Sequence, residues 1–516
     1  TAASVGTILK ARGFKIYMQK FDQYLNVDAG TPNPGEHGEV FVTEDGAETD
    51  LDLGHYERFI DVDLSAASSV MTGNIYSAIL NGEREGKYLG KTVQVIPHVT
   101  DEVKNRLKRA ASLGKADVLI TEIGGTVGDY EGMHFLEAIR QMSADVGPDN
   151  VFYIHVGFLP YLGVTEELKT KPIQNSIRDL QAIGIKPDLV ICRSDKPVAK
   201  SLLSKIALFG GISEKAVIAL ETVDSVYKVP LILEESRCAD VLLNKLGLKN
   251  KRPNLKKWHS LVDIINRHNK PCVKIGLVGK YMTMKDTYLS ITESIKIAAW
   301  HNGLEAEIVW INSETLEEKE KIHEKLSNLC GIVVPGGFGS RGLLGKINAI
   351  QYARENNIPF LGLCLGMQMA VIEFARNVCG LKGANSTEVD KHAKDKVIDI
   401  MPGQLGVKNK GGTMRLGACP CNLAPESNTA KLYKNTKISE RHRHRYEVNP
   451  RYHNILKKHG LLLAGLSPDK KLVEFIEIKK HTFFIATQAH PEFKSRPNKP
   501  HPLFNGFIRA ANTQKK

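Results

Sequence analysis

The chain has 516 residues, which is too long for a single hydrophobic core and predicts two domains. Its 42% hydrophobic content is typical of a globular protein, and its net charge of +13 suits polyanionic ligands such as nucleoside triphosphates. Eight scattered cysteines and the lack of a signal-peptide or membrane-span pattern predict a reduced, cytoplasmic protein without a membrane partner. The basic run 441–445 has no recognised nucleic-acid fold around it, so we expect no nucleic-acid partner.

Short apolar strands alternate with amphipathic helices in both halves, beginning with a predicted helix over 1–13 and a predicted strand over 14–18. This alternation predicts an α/β fold whose parallel sheets are joined by right-handed crossovers. The polar run 249–254 begins a linker that continues through a predicted helix over 255–268. We therefore predict a first domain over residues 1–250, a linker over 251–271 and a second domain over 272–516.

The block 38–59 is too acidic to be an ordinary strand. Asp50 and Asp52 stand at alternate positions, which would place them on one face of an extended chain, and Glu122 ends the apolar run 118–121. Oxygen ligands from separate strand ends suit a magnesium ion that carries nucleotide phosphates. A solvated acidic loop is the alternative interpretation of the Asp-x-Asp pattern.

In the second half, Gly-x-Cys-x-Gly over 362–366 directly follows the apolar run 358–361. Such a strand-to-helix turn exposes one nucleophile, here Cys364, and leaves the backbone N–H of Leu365 facing an oxyanion. The helix is predicted to begin at Met367. Taken alone, a cysteine next to an apolar strand could equally be a buried core residue.

A cysteine nucleophile needs a histidine to form the thiolate and a carboxylate to orient that histidine. His490 and Glu492 supply both, in a His-Pro-Glu motif after the predicted strand 482–486. A further apolar strand runs into glycines over 333–339, where Gly337 can offer a second N–H to the oxyanion.

These three strand-end motifs resemble the class I glutamine amidotransferase family over residues 272–516. The resemblance implies that Cys364 attacks the side-chain amide of glutamine, with His490 as base and then acid and Glu492 as its orienting partner. It also implies a set of glutamine-binding residues: Gly337, Leu365, Gly366, Met367, Gln368, Glu388 and Arg445.

The first half is similar to CTP synthases in the long segments 38–59, 124–129 and 169–172, and the fused glutaminase extends the resemblance over nearly the whole chain. The family implies a P-loop-like amidoligase domain in which ATP phosphorylates the 4-oxygen of UTP and ammonia displaces the phosphate. Magnesium would be held by Asp52 and Glu122, and Asp22 would lie near the phosphates. The implied nucleotide-binding residues are Lys20, Asp52, Asp129, Tyr130, Glu131, Lys169, Thr170, Lys171, Pro172, Ile173, Gln174 and Lys215.

One departure concerns the start of the family's sequence, where a strand and a glycine-rich phosphate loop ending in lysine normally precede the first helix. Residues 1–13 correspond to the helix that follows that loop. Further departures are 65–73, Tyr130, 158–164 and Ala489. Two functions are therefore considered: an active CTP synthase whose sequence is incomplete at its start, and a family member that serves as a filament or regulatory subunit, or as a glutaminase only.

The family also implies a homotetramer with pyrimidine sites at subunit interfaces, assembly into filaments, feedback inhibition by CTP and activation by GTP. The glycine-rich segment 403–412 could be a mobile lid associated with GTP activation, or an ordinary surface loop.

Overall fold

The computed structural model describes residues 1–282, 284–404, 406 and 411–514. Within this range the strands, numbered in chain order, are β1 (Ile16–Asp22), β2 (Phe41–Val42), β3 (Glu48–Thr49), β4 (Ser69–Met71), β5 (Val118–Ile123), β6 (Ile154–Phe158), β7 (Tyr161–Leu162), β8 (Glu167–Leu168), β9 (Leu189–Ser194), β10 (Val217–Glu221), β11 (Cys272–Gly279), β12 (Glu305–Asn312), β13 (Gly331–Val334), β14 (Phe360–Leu363), β15 (Ala384–Ser386), β16 (Asp395–Ile400), β17 (Arg415–Leu423), β18 (Lys437–His444), β19 (Tyr446–Val448), β20 (Leu461–Leu466), β21 (Val473–Ile478) and β22 (Phe484–Thr487). The α-helices are α1 (Ala2–Lys10), α2 (Pro34–His37), α3 (Asp52–Ile60), α4 (Thr72–Arg84), α5 (Thr100–Gly114), α6 (Met133–Val146), α7 (Lys171–Ala182), α8 (Lys200–Gly210), α9 (Val229–Glu235), α10 (Cys238–Lys245), α11 (Lys256–Asn266), α12 (Leu289–His301), α13 (Lys319–Leu326), α14 (Leu343–Glu355), α15 (Leu365–Asn377), α16 (Asn428–Tyr433), α17 (His453–Lys458) and α18 (Pro502–Thr513). Of the segment 403–412, Leu405 and residues 407–410 lie outside the described residues.

The chain forms two compact units. Unit 1 comprises Thr1–Asp28 and His55–Asp263, and unit 2 comprises Ala29–Gly54 and Ile264–Lys516. Compactness therefore groups segment 29–54 with the carboxyl-terminal half of the chain. The domain limits predicted from the sequence follow chain order and remain a prediction.

Unit 1 contains two three-stranded parallel sheets, with strand orders β4-β1-β5 and β10-β9-β6. Phe21 of β1 packs with Val70 and Phe135 in one core cluster, and Val190 of β9 packs with Ile173 in another. Parallel strands with helices packed against them confirm the α/β fold predicted for this half.

Unit 2 is built on a nine-stranded sheet of order β12-β11-β13-β14-β22-β21-β20-β17-β18. The first five strands are parallel, and the pairings from β22 to β18 are antiparallel. Ile332 and Val334 of β13 face a core formed with α14 and α15, whereas Val333 faces a second core formed with α12 and α18. Both faces of the parallel part are therefore buried, which explains its continuous apolar runs.

Asp50 and Asp52 do not have the extended geometry expected from the sequence. Asp52 begins α3, and the Asp50 carboxylate accepts a hydrogen bond of 3.1 Å from the backbone N–H of Asp52. This side-chain turn bends the chain at the Asp-x-Asp pattern, so the prediction that both residues lie on one face of an extended chain is wrong.

Three other predicted boundaries shift. Helix α1 ends at Lys10, and Gly13 has a φ of +91° in the turn that follows. Lys20 and Asp22 lie within β1 rather than after it. Gln174, expected on a loop, lies in the first turn of α7.

Segment 29–54 packs against the rest of unit 2 through charged and aromatic side chains. The Glu39 carboxylate accepts the backbone N–H of Ser290 at 3.1 Å, and the ring centroid of Phe41 lies 4.8 Å from that of Phe493. The segment thus contributes directly to the surroundings of the His-Pro-Glu motif. In the part of the chain that is described, no helix has both the length and the apolar character needed to span a bilayer.

Candidate active site

The three predicted motifs meet at one edge of the unit 2 sheet. Strands β13, β14 and β22 are adjacent and parallel, so their carboxyl ends lie side by side. The glycine segment follows β13, Cys364 follows β14 and His490 follows β22. This edge is where sites form in parallel α/β sheets.

Cys364 stands at the turn between β14 and α15 with φ 51° and ψ −103°, a strained conformation for a residue with a side chain. Helix α15 begins at Leu365, two residues earlier than predicted, and the first N–H of a helix has no acceptor within the helix. Gly366 makes the turn possible, because a Cβ atom there would lie 2.1 Å from the backbone oxygen of Val334. The local backbone therefore places the Cys364 sulfur at the pocket and the N–H of Leu365 at the adjoining helix start.

His490 is oriented by Glu492. The Nδ1 atom of His490 lies 2.7 Å from Oε1 of Glu492, and both side chains are largely buried. Burial disfavours the imidazolium, but the Glu492 carboxylate and the Cys364 sulfur outweigh that effect and raise the pKa of His490 to about 10. The ring Nε2 is buried and makes no hydrogen bond of ideal geometry within the described residues. A protonated His490 next to Cys364 is placed to give its proton to a leaving group at this position.

Gly336 sits between the side chains of Cys364 and His490. A Cβ atom at Gly336 would lie 3.0 Å from Cε1 of His490 and 3.6 Å from Cβ of Cys364. Glycine leaves room for both at this position, and the neighbouring Gly337, Cys364, His490 and Glu492 line one pocket.

Two lysines hold the carbonyl groups of the glycine loop 335–339. Lys346 of α14 is fully buried, and its Nζ donates to the backbone oxygen of Pro335 at 2.8 Å. Burial lowers the pKa of Lys346 well below its usual value, with Lys280 adding to the effect and Cys364 opposing it. The Nζ of Lys280 donates to the backbone oxygens of Phe338, at 3.0 Å, and of Gly339, and burial lowers the pKa of Lys280 to about 8.

The glutamine-binding residues implied by the sequence are partly brought to this pocket. Glu388 accepts a hydrogen bond of 3.0 Å from the backbone N–H of Gly339, which places its carboxylate at the glycine loop. Gln368 is buried in α15 and donates to the backbone oxygen of Tyr446 at 2.9 Å. Arg445 contacts Gln404 and Thr413 instead of lining the pocket.

Several residues at this site carried no motif in the sequence. Gln488 donates from Nε2 to the Cys364 sulfur at 3.6 Å, and Glu39 and Arg443 line the pocket. A polar residue directly after a buried strand and two positions before His490 is a signal that could have identified Gln488. Lys346 had no such signal, because its role depends on a loop that lies eleven residues away.

In unit 1, the candidate phosphate and metal residues form a charged group on neighbouring strands. Lys20 of β1 and Glu122 of β5 are register partners, and the Lys20 Nζ lies 3.9 Å from Glu122 Oε1 and 3.6 Å from Asp22 Oδ1. The Tyr56 hydroxyl donates to Glu122 Oε2 at 2.7 Å. The predicted second ligand, Asp52, belongs to unit 2.

No group of three or more metal-binding side chains occurs among the described residues. Magnesium usually takes one or two carboxylates and completes its shell with water and substrate phosphates, so the chemistry of Glu122 suits such a ligand role. Lys20 provides a cation beside Glu122 in unit 1. The magnesium roles of Asp52 and Glu122 remain predictions.

The other predicted nucleotide residues lie at turns and helix starts of unit 1. Asp129 accepts hydrogen bonds from Gln23, at 3.0 Å, and from the Thr126 N–H, at 2.9 Å, and these bonds lower its pKa. Tyr130 is 94% exposed, and Lys169 pairs with Glu167. The remaining residues are Glu131 beside Tyr130, Thr170, Lys171, Pro172, Ile173 and Gln174 at the start of α7, and Lys215 in the turn before β10. Their ligand roles remain predictions.

Comparisons with known proteins agree with both halves of the chain. The family profile "CTP synthase N-terminus" matches residues 1–248, and "Glutamine amidotransferase class-I" matches residues 283–510. A CTP synthase of Methanocaldococcus jannaschii is 56% identical over 100% of this chain and 96% of its own length. One of Carboxydothermus hydrogenoformans is 55% identical over 99% of this chain and 95% of its own.

Among solved structures, the glutaminase domain of Trypanosoma brucei CTPS with bound acivicin is 41% identical to this chain. The match covers 47% of this chain and 95% of that domain, with a TM-score of 0.44. The identity to full-length CTP synthases extends over both segments that the family profiles match. The protein therefore belongs to the CTP synthase family.

Proposed function

We propose that this protein is a glutamine-hydrolysing CTP synthase, which uses ATP and ammonia from glutamine to convert UTP to CTP. One observation carries the proposal: Cys364, His490 and Glu492 converge at the ends of adjacent parallel strands in a chain that aligns over its whole length with CTP synthases. A pure scaffold would have no need of that convergence.

The glutaminase reaction follows from the geometry. The Cys364 thiolate attacks the side-chain amide carbon of glutamine, and the N–H groups of Leu365 and Gly337 stabilise the oxyanion. His490 gives its proton to the departing ammonia, which leaves a thioester on Cys364. His490 then takes a proton from water as the water attacks the thioester, and glutamate and the free thiolate result.

The synthetase reaction needs an activated uracil, because a uracil carbonyl is a poor electrophile. Transfer of the terminal phosphate of ATP to the 4-oxygen of UTP makes that oxygen a leaving group, and ammonia displaces it as phosphate to give CTP and ADP. Bound magnesium would supply charge neutralisation of the triphosphates. Lys20, Lys169 and Lys171 would bind and orient the phosphates, and Asp129, Tyr130 and Glu131 would recognise the pyrimidine nucleotide.

Family membership also supports regulation and assembly as parts of the proposal. CTP would inhibit, GTP would activate the glutaminase, and the enzyme would work in the cytoplasm as a homotetramer that can form filaments. Arg445 would belong to the glutamine site through its contacts with Gln404, inside the glycine-rich segment 403–412, and with Thr413, which directly follows that segment.

The test is CTP formation by this polypeptide, followed by absorbance, with either glutamine or ammonium as nitrogen donor. We expect both donors to work in the unsubstituted protein, and ammonium alone in C364A, because ammonia bypasses the thiolate. CTP from neither donor, also after a family-type phosphate loop is added ahead of Thr1, would contradict the proposal and favour a filament or regulatory subunit. Glutamate release without any nucleotide product would indicate a glutaminase only.

A further inference from the structure

The side chain of Gln488 lies against the reacting sulfur. Gln488 follows β22 directly and is fully buried, and its backbone N–H donates to the backbone oxygen of Glu474 at 2.9 Å. The backbone of Cys364 is bonded to the same strand, because its N–H donates to the backbone oxygen of Thr487 at 2.8 Å. Both ends of the contact between Gln488 Nε2 and Cys364 Sγ, at 3.6 Å, are therefore held by the sheet.

The direction of the Gln488 amide is set by its other partner. Gln488 Oε1 accepts a hydrogen bond of 3.3 Å from Nε2 of Gln368, and the same Nε2 donates to the backbone oxygen of Tyr446 at 2.9 Å. A backbone oxygen can only accept, so Gln368 must present its NH2 group to both partners. If the Gln488 amide were reversed, two NH2 groups would face each other and a carbonyl oxygen would face the sulfur.

The hydrogen-bond partners of the Cys364 sulfur interact differently with its thiolate and thiol forms. An amide N–H strengthens its hydrogen bond when the acceptor is charged, so Gln488 stabilises the thiolate. The backbone oxygen of Arg443, 3.7 Å from Sγ, can accept only from the neutral S–H. The ionisable groups that act on the sulfur electrostatically are His490, itself paired with Glu492, and Lys346.

We propose that Gln488 is a further catalytic residue of the glutaminase site, which donates its amide hydrogen bond to the Cys364 thiolate and is held in that direction by Gln368. The inference rests on the proposed glutaminase function. It assigns Gln368 a positioning role in addition to the glutamine-binding role implied by the family.

Two substitutions in the full chain test the proposal. Q488M keeps the approximate size of the side chain and removes the N–H donor, and Q488E keeps the shape and places a carboxylate beside the sulfur. The probe is acivicin, an electrophilic glutamine analogue, and the measured quantity is the second-order rate of Cys364 modification between pH 5 and 10. We expect the rate at pH 7.5 to fall about tenfold in Q488M and further in Q488E, with the midpoint of the pH profile moved to higher pH in both.

Ammonium-dependent CTP formation by the same variants should stay at the unsubstituted level, which shows that the fold and the synthetase site are intact. Q351M is the matched control, because Gln351 lies on α14 and bonds Glu355 at the surface. Modification of Q488M and Q488E at the unsubstituted rate with an unchanged pH profile would overturn the proposal. Failure of the unsubstituted protein to react at Cys364 would instead overturn the glutaminase function on which the proposal rests.

Discussion

His490 and Glu492 illustrate how single residues set the chemistry of this protein. Their contact of 2.7 Å, inside a buried pocket, keeps the imidazole protonated over the whole neutral range, with a pKa of about 10. The histidine therefore already carries the proton that the leaving ammonia requires.

The variant E492Q should move the pH dependence of glutamine hydrolysis. A neutral amide no longer raises the pKa of His490, so the histidine loses its proton at lower pH. We expect kcat/KM for glutamine to fall near pH 10 in the unsubstituted protein, and to fall at a pH about 1–2 units lower in E492Q. The exposed E426Q serves as control, and an unmoved alkaline fall would contradict the role given to Glu492.

Glu447 is a buried carboxyl group whose surroundings disfavour its charged form. Arg415 is committed to Glu474 at 2.7 Å, and neither oxygen of Glu447 has a hydrogen-bond partner among the described residues. Burial raises the pKa of Glu447 to about 8, although Arg415 opposes the effect. Because the folded state holds this proton more tightly than the unfolded state, stability falls as pH rises from the ordinary carboxyl range towards 8.

The variant E447Q should remove the loss of folding stability that accompanies the rise in pH, because glutamine does not ionise. The difference in free energy of unfolding, E447Q minus the unsubstituted protein, should be larger at pH 8 than at pH 5 by about 1 kcal/mol or more, which means that E447Q is relatively more stable at pH 8. Chemical denaturation at the two pH values, followed by tryptophan fluorescence, measures the difference, with the exposed E355Q as control. An equal effect of E447Q at both pH values would show that Glu447 titrates normally.

At the scale of elements, the alternation of β18 explains the basic run 441–445. Arg441 and Arg443 point to segment 29–54, where they pair with Glu44 at 2.9 Å and Glu48 at 2.7 Å. The intervening histidines are buried on the opposite face, and burial lowers their pKa values well below the usual value. The sequence run resembles a surface charge cluster. Because side chains alternate along a strand, its arginines instead pack against segment 29–54 and its histidines lie in the core.

Two lysines from other elements hold the glycine loop after β13. Lys346 of α14 donates a hydrogen bond to the Pro335 carbonyl, and Lys280, which follows β11, donates to the carbonyls of Phe338 and Gly339. The two lysines thus hold the carbonyl groups on both sides of Gly337, whose N–H is predicted to stabilise the oxyanion.

In K346M the Pro335 carbonyl would lose its buried donor, and the loop could rotate. We expect kcat for glutamine hydrolysis to fall about tenfold or more, with ammonium-dependent CTP formation unchanged. K319M, at an exposed position of α13, is the matched control. Unchanged glutamine hydrolysis in K346M would mean that the loop keeps its shape without the lysine.

At the scale of the whole molecule, removal of the metal should stop the proposed synthetase reaction but not the proposed glutaminase reaction. Chelation of magnesium should abolish CTP formation with either nitrogen donor, because the nucleotide phosphates need the ion, and should leave acivicin modification of Cys364 intact. D52N and E122Q should reproduce the loss of CTP formation at saturating magnesium. CTP formation at the normal rate in both variants would rule out these carboxylates as ligands.

Much of the glutaminase site could be predicted because each of its motifs is local. Gly-x-Cys-x-Gly specifies a turn, and the apolar runs before Cys364 and His490 specify strands, so the conformation of each piece is encoded within a few residues. The two-residue error at the start of α15 is of the same local kind. The Asp50–Asp52 geometry failed for a local reason too, because a side-chain hydrogen bond to the backbone replaced the extended conformation.

The sequence by itself determined the α/β class and the family and predicted the trio Cys364, His490 and Glu492, since these depend on short patterns in apolar periodicity, glycine and a few reactive side chains. Only the tertiary structure decided that segment 29–54 packs with the carboxyl-terminal unit, that Lys346 anchors the glycine loop, and that Gln488 reaches the sulfur. The reason is physical: a burial partner or hydrogen bond between residues far apart in the chain depends on the packing of whole elements, which no local pattern records.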